Sequence, residues 1–227
     1  MLQRTVHWQG IDDDRRFDTA TVRLDRDRLS GSGTSRTPDY QLQWSLRSGA
    51  EWVTRSLEVR IEAPTWSRRL ALVRDAGGRW TSDGRAAGTP VTKAGRPLNI
   101  EGSDWDPTDG GLPGIVDPTS LIGADDCDLG LCPLTNTMPL LRTVLHRNAR
   151  GAIPGPELKF VMAWVEVPSL RVIRSRQIYQ LRRLDVDGKA VVRYIGLHRS
   201  FEADLSVDPD GLVIDYPQLA RRVQAPG

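Results

Sequence analysis

Apolar and polar residues alternate along most of this chain, and this pattern constrains the fold more than any other feature. From Tyr40 to Leu46 every second residue is apolar, and the residues between them are polar. Successive side chains of a β-strand point to opposite faces, so this period of two indicates strands with one buried face and one wet face. The same pattern recurs at 57–61, 69–74, 191–195 and 202–207. The sequence therefore predicts an all-β protein.

Turn-forming pairs fall between the alternating segments. They are Ser48-Gly49, Gly77-Gly78, Asp83-Gly84, Asp187-Gly188 and Asp210-Gly211. Such pairs supply the positive φ angles of tight hairpins, so we expect consecutive strands to be antiparallel. Helical periodicity is weak, and we expect at most one or two helical turns, beginning at Leu140 after Pro139.

Two segments depart from the alternation. Phe160–Val167 is apolar on both faces until Glu166, which predicts a central strand with both faces covered. The segment 86–126 is rich in proline and glycine, and we expect a functional loop or an insertion there, within one domain that spans 1–227. A short similarity between 17–22 and 201–207 is consistent with two pseudo-symmetric halves.

Composition disfavours several classes of protein. The chain has 31 Lys and Arg against 29 Asp and Glu, and the resulting charge of +2 disfavours nucleic-acid binding. The N-terminal residues lack the apolar stretch of a secretory signal, and no run approaches the roughly 18 apolar residues of a membrane span. We therefore expect a cytoplasmic protein without integral membrane association.

Cys127 and Cys132 have no histidine close in sequence, which favours two free thiols over a zinc site.

The sequence carries no recognisable catalytic or metal-binding motif. The three histidines have no metal-ligand spacing, and no Gly-x-Ser-x-Gly elbow occurs. The carboxylates of 125–128 lack the spacing of a calcium loop, so we interpret them as a solvated acidic turn. We predict no cofactor, no metal and no catalytic residue; Asp215 and His198 are the first candidates if the protein is an enzyme.

Two features suggest contact with an amphipathic molecule. Tryptophan, which combines a large apolar surface with one donor, occurs seven times. Most of these residues are expected in the core, whereas Trp105, in the irregular segment, is a candidate for an exposed contact. The segment Pro133–Pro139 is polar between two prolines, and either a structural turn or the edge of a cavity would explain it.

This last segment also carries a resemblance. Thr135–Pro139 (TNTMP) resembles the TNT-[LM]-P signature of the bacterial "putative glycolipid-binding" family. Four more blocks match that family: 78–84, 163–168, 175–179 and 201–216. The similarity covers roughly 5–85 and 124–223, whereas 86–121 has no counterpart and Cys132 replaces a frequent threonine.

The resemblance implies a fold and a function. The fold is an antiparallel spiral β-roll of two similar halves, similar in architecture to bacterial lipoprotein-localisation carriers, whose concave sheet holds acyl chains. The family has no established catalytic residues, so the implied function is the binding of a glycolipid or another amphipathic lipid.

We expect the apolar part of such a ligand on a curved sheet face near Trp44, Met162 and Trp164, and its head group at Asn136, Arg176 and Tyr179. This arrangement needs a mostly apolar cavity on the order of several hundred Å3. Two alternatives stay open: a structural or interaction protein with a filled core, and an enzyme acting on a lipid or sugar. The oligomeric state also stays open.

Overall fold

Strands dominate the structure, a computed structural model that describes residues 1–98, 112–147 and 153–224. In these ranges fifteen strands form one sheet, which confirms the all-β prediction. The strands are β1 Leu2–Gly10, β2 Phe17–Leu24, β3 Leu29–Arg36, β4 Gln41–Ser48, β5 Thr54–Glu62, β6 Ser67–Arg74, β7 Trp80–Ala87, β8 Gly114–Ile115, β9 Asp126–Leu129, β10 Leu158–Val165, β11 Arg171–Leu184, β12 Ala190–Gly196, β13 Phe201–Val207, β14 Val213–Tyr216 and β15 Ala220–Val223.

Helical structure is short. One α-helix, α1, spans Thr137–Thr143, and 3-10 helices occur at Ala50–Trp52, Pro118–Leu121, Pro133–Asn136 and Leu145–Arg147. The helix begins three residues before the predicted start, because Pro139 occupies its first turn, where a missing backbone N–H costs nothing. Among the described residues, no helix combines the length and apolar character needed to cross a membrane.

Strands that are neighbours in sequence are mostly neighbours in the sheet. The order is β7-β6-β5-β4-β3-β2-β1-β15-β14-β13-β12-β11-β10-β9, with β8 beside β11. The pairs β9–β10 and β8–β11 are parallel, and the other pairs are antiparallel. The sheet ends at β7 and β9, so it is not a closed barrel.

The sheet curls until its two ends approach each other. In a flat sheet, β5 and β9 would be about 53 Å apart, at eleven inter-strand spacings. In the structure, the Cys127 amide of β9 donates a hydrogen bond to Thr54 Oγ1 of β5 at 3.1 Å. The fold is therefore a roll. The spiral path and the two pseudo-symmetric halves that the family implies stay predictions.

The space inside the roll is filled by the segment from Pro133 to Thr143, here called the plug. Leu134, Met138 and Leu141 of the plug pack into one apolar core with the N-terminal strands. Leu140 packs into a second core with β10 to β14. Because β10 lies between the two cores, Met162–Val165 is buried on both faces, as the sequence predicts, whereas Phe160 and Val161 of the predicted segment are only half-buried.

Two local predictions are wrong. Asp83-Gly84 is not a turn but lies inside β7, paired with β6. Glycine is needed there because a Cβ atom would lie 1.9 Å from the Pro113 carbonyl oxygen, where the chain crosses β7. The acidic residues are not a solvated turn, since Asp126 and Asp128 belong to buried strand β9.

The predicted loop 86–126 is only partly described, and residues 99–111, with Trp105, lie outside the described residues. The remainder contains the end of β7, the short strand β8 and the 3-10 helix Pro118–Leu121. The interpretation of this segment as an insertion stays a prediction. Cys127 and Cys132 are both free thiols in the structure.

Candidate functional site

The structure brings four of the six predicted ligand contacts to one face of the C-terminal strands. Met162 and Trp164 of β10 lie on the same face as Tyr179 of β11, and the Tyr179 hydroxyl donates to Asn136 Oδ1 of the plug at 2.8 Å. Trp44 lies in the core of the N-terminal strands, and Arg176 lies on the opposite face of β11. The six residues therefore do not form one continuous surface.

The hollow expected between these residues is filled. Trp44, Met162 and Trp164 are 7%, 1% and 2% exposed, because the plug packs between the two halves of the sheet. A void beside Trp44 and Cys132 measures about 20 Å3, enough for one water molecule. A ligand of lipid size does not fit there while the plug is in place.

A buried polar network joins the plug to the sheet. Asp128 accepts hydrogen bonds from Thr135 Oγ1 at 2.7 Å and from Gln177 Nε2 at 2.6 Å. Tyr179 donates to Asn136 and also lies 3.0 Å from Gln177 Oε1. Burial raises the pKa of Asp128, an effect that these two hydrogen bonds oppose. Thr135 and Asn136 of the TNT motif thus hold the plug in place.

We expect Tyr179→Phe to lower the free energy of unfolding by about 1–2 kcal/mol, because Asn136 Oδ1 would stay buried without its donor. Urea denaturation measures this loss. A double-mutant cycle with Asn136→Ala should give a coupling energy of about 1 kcal/mol between the two side chains. Additive losses would show that the hydrogen bond contributes nothing.

His198, the histidine candidate for catalysis, has no carboxylate partner among the residues that the structure describes. His198 Nδ1 lies 2.7 Å from Ser175 Oγ, whereas Asp215 pairs with Arg221 at 2.9 Å. Burial and the adjacent Arg199 lower the pKa of His198 to about 4, so its ring is neutral at pH 7. Ser175 is fully buried, which keeps this pair away from any substrate in the present arrangement.

A cleft of about 610 Å3 lies at one end of the roll; we call it the loop cleft. In an antiparallel sheet alternate connections share one edge, and the loops after β1, β3, β10, β12 and β14 all contribute to this cleft. Its apolar lining is formed by Tyr40, Leu98, Leu131, Val167, Pro168, Phe201 and Leu219. Its polar lining is formed by Asp12, Asp13, Arg16, Thr37, Asp39, Arg199 and Gln218.

Arg199 is the polar group best placed at this cleft. Its guanidinium carbon lies 5.0 Å from the ring centre of Trp164 and 5.6 Å from that of Phe201. Cation–π contacts of this kind contribute about 0.5–2 kcal/mol each and fix the plane of the guanidinium group. Its Nε is buried and has no hydrogen-bond partner among the described residues. The cleft therefore offers a cation whose orientation the two aromatic rings fix.

Arg16 fixes the opposite wall of the cleft. Its side chain is buried, and it donates to Asp12 at 2.9 Å, to Asp18 at 3.3 Å and to the Leu219 carbonyl at 2.6 Å. These bonds tie the loop after β1 to the loop after β14. Asp12 keeps 40% of its side chain exposed, so its carboxylate can also accept hydrogen bonds from a ligand.

Most of the residues that line this cleft are not predicted from the sequence. Phe201 lies in a block that resembles the family, but nothing singled out Arg199, Arg16 or Tyr40. One signal was available, because each of these residues lies in or beside a hairpin connection. Those connections share one edge only in the observed strand order, which the sequence alone does not give.

Comparison with known proteins places the chain in a family. No curated protein matches it. A crystal structure of a DUF1089 family protein from Pseudomonas aeruginosa is similar, with a TM-score of 0.59 and 28% sequence identity over 91% of this chain and 92% of that protein. The sequence model of the family described as "Putative glycolipid-binding" matches residues 5–222. Because this match covers nearly the whole chain, the protein belongs to that family.

Proposed function

We propose that the protein binds an amphipathic molecule with a hydroxyl-rich head group, of the glycolipid class, in the loop cleft. One observation carries the proposal: an apolar wall and a set of hydrogen-bonding groups share a single cleft of about 610 Å3. Ligand sites are usually mostly apolar clefts of about 300–1,000 Å3 with a few fixed polar groups. The family description supports the same class of ligand.

The two kinds of lining suit the two parts of such a ligand. Tyr40, Leu131 and Phe201 offer apolar surface to an alkyl chain. Arg199 can donate to sugar oxygens, and Asp12 can accept from sugar hydroxyls. Trp164 takes part indirectly, by holding Arg199 in place. Asn136 and Tyr179 do not contact the ligand but anchor the plug through their hydrogen bond. Trp44 and Met162 would touch a ligand only if the plug moved.

Titration with octyl glucoside below its micelle concentration tests this proposal. We expect saturable binding by calorimetry and a rise in melting temperature, since a ligand that binds only the folded state stabilises it. Arg199→Met should weaken binding about 30-fold, because a hydrogen bond from a charged donor contributes about 1.5–3 kcal/mol. Arg183→Met is the matched control, since Arg183 is exposed and pairs with Asp185 at 2.8 Å.

The ligand itself supplies further controls. Glucose alone and octanol alone should each bind more weakly than octyl glucoside, because glucose lacks the alkyl chain and octanol lacks the sugar. If octyl glucoside leaves the melting temperature unchanged, or binds Arg199→Met as tightly as the native protein, the cleft is not the site.

The filled interior favours a second candidate function, that of an interaction protein. Leu112, Val116 and Ile122 are 69%, 54% and 75% exposed, so the chain also presents apolar side chains at its surface. All three lie in the connection between β7 and β9, which makes this segment the candidate contact for a partner. Loss of a partner on substitution of these residues, together with failure of the glycoside titration, would favour this candidate.

A further inference from the structure

A second groove, separate from the loop cleft, lies on the outer face of β10 and β11. It has a volume of about 410 Å3, and we call it the outer groove. It is lined by Lys159, Phe160, Val161, Arg174, Arg176, Gln177, Ile178 and Leu197. The proposed function does not use this groove.

The floor of the outer groove is apolar and follows from the strand register. Val161 lies opposite Arg176, and Lys159 lies opposite Ile178, so charged and apolar side chains alternate across the two strands. Leu197, which is 51% exposed, follows β12, and its amide donates to the Arg176 carbonyl at 3.0 Å. The apolar side chains thus form a narrow strip that the basic side chains border.

All the charged residues of the outer groove are cationic. Lys159, Arg174 and Arg176 form no ion pair with a carboxylate among the described residues. Arg174 donates through Nη1 to the Ser120 carbonyl at 2.7 Å, and its Nε is buried with no hydrogen-bond partner in the part of the chain that the structure describes. The three cations line one groove, and like charges repel one another, so an anion in the groove would lower the electrostatic free energy.

We propose that the outer groove binds one acyl chain that carries an anionic head group. The apolar strip takes the chain, and Arg176, Arg174 and Lys159 bind the anion through charge-assisted hydrogen bonds. The groove is concave, and Leu197 is its one strongly exposed apolar side chain, which suits a single amphiphile better than a flat membrane surface. The proposed ligand of the outer groove is a monomeric fatty acid.

Binding of dodecanoate, below its micelle concentration, tests this proposal by native mass spectrometry and calorimetry. We expect one bound dodecanoate per chain. Arg176→Glu should weaken binding at least 30-fold, whereas Arg182→Glu, at an exposed arginine of the same strand outside the groove, should change it less than twofold. Dodecanol, which lacks the charge, should bind at least tenfold more weakly.

The proposals for the loop cleft and for the outer groove can be tested independently of each other. Arg199→Met lies in the loop cleft, so it should leave dodecanoate binding unchanged, and Arg176→Glu should leave octyl glucoside binding unchanged. The outer-groove proposal is overturned if dodecanoate does not bind, if Arg176→Glu binds it normally, or if Arg199→Met abolishes its binding. Binding to anionic vesicles without binding of monomeric dodecanoate would also overturn it, in favour of a membrane-docking surface.

Discussion

Replacing Arg142 with methionine should lower the free energy of unfolding by about 3–5 kcal/mol at pH 7, because it leaves a buried carboxylate without its cation. Arg142, near the end of α1, donates to both oxygens of Asp126 at 3.0 and 2.5 Å. Asp126 is 0% exposed. Urea denaturation measures the loss, and the plug should be the region most affected, since this pair joins it to β9.

The loss should depend on pH in a defined direction. Burial raises the pKa of Asp126 in the folded protein above the ordinary value of an aspartate, and the Arg142 cation opposes this effect. A carboxyl group with a raised folded pKa stabilises the fold most below its unfolded pKa, and this contribution is lost as the pH rises through the folded pKa. Without Arg142 the folded pKa rises further, so the deficit of Arg142→Met should shrink as the pH falls from 7 towards 4.

Two further variants separate charge burial from lost packing. The double variant Asp126→Asn with Arg142→Met removes both charges, so it should recover more than half of the lost stability and show no added pH dependence. Arg183→Met removes an exposed cation and should change stability by less than about 0.5 kcal/mol. A deficit of Arg142→Met that is equal at pH 7 and pH 4.5 would contradict the electrostatic explanation.

The plug explains why sequence reasoning found the fold but misplaced the cavity. Alternation in segments such as Tyr40–Leu46 predicts strands directly, because it reflects which side of the sheet is dry. It does not reveal what covers the dry side. Leu134, Met138 and Leu141 occupy the volume that the curved sheet would otherwise enclose.

The acidic segment shows a related limit of sequence reasoning. The neighbours of Asp126 and Asp128 in sequence predict a solvated turn. Their partners, Arg142 and Gln177, are supplied by α1 and β11, and these contacts make burial of the carboxylates tolerable. The distance in sequence hides the pairing, so the local sequence predicts a surface turn where the structure has a buried strand.

The same limit explains which residues of the site can be predicted from the sequence and which cannot. Asn136 and Tyr179 belong to motif blocks far apart in sequence, and the fold joins them by a hydrogen bond at 2.8 Å. The loop cleft depends on which hairpin loops meet after the sheet curls, and curvature has no signature in a period-two pattern. Arg199 therefore could be found only from the structure.

Gly33→Ala should lower the free energy of unfolding by about 3 kcal/mol, because Trp44 packs flat against the glycine backbone of β3. A Cβ atom at position 33 would lie 2.4 Å from the Thr19 carbonyl oxygen and 2.6 Å from Cζ2 of Trp44. Both distances are shorter than any van der Waals contact, so the indole ring and the strand must move apart. Denaturation followed by tryptophan fluorescence should show the loss of stability and a changed environment of Trp44.

Gly31→Ala, on the same face of the same strand, is the matched control for Gly33→Ala. Its Cβ atom would lie 3.2 Å from Leu134 and 3.4 Å from Cζ3 of Trp44, contacts that small shifts can relieve. We therefore expect a loss of less than about 1 kcal/mol. Equal losses for the two variants would contradict the packing explanation. Unchanged octyl glucoside affinity in folded Gly33→Ala would further show that Trp44 packs the core and does not contact the ligand.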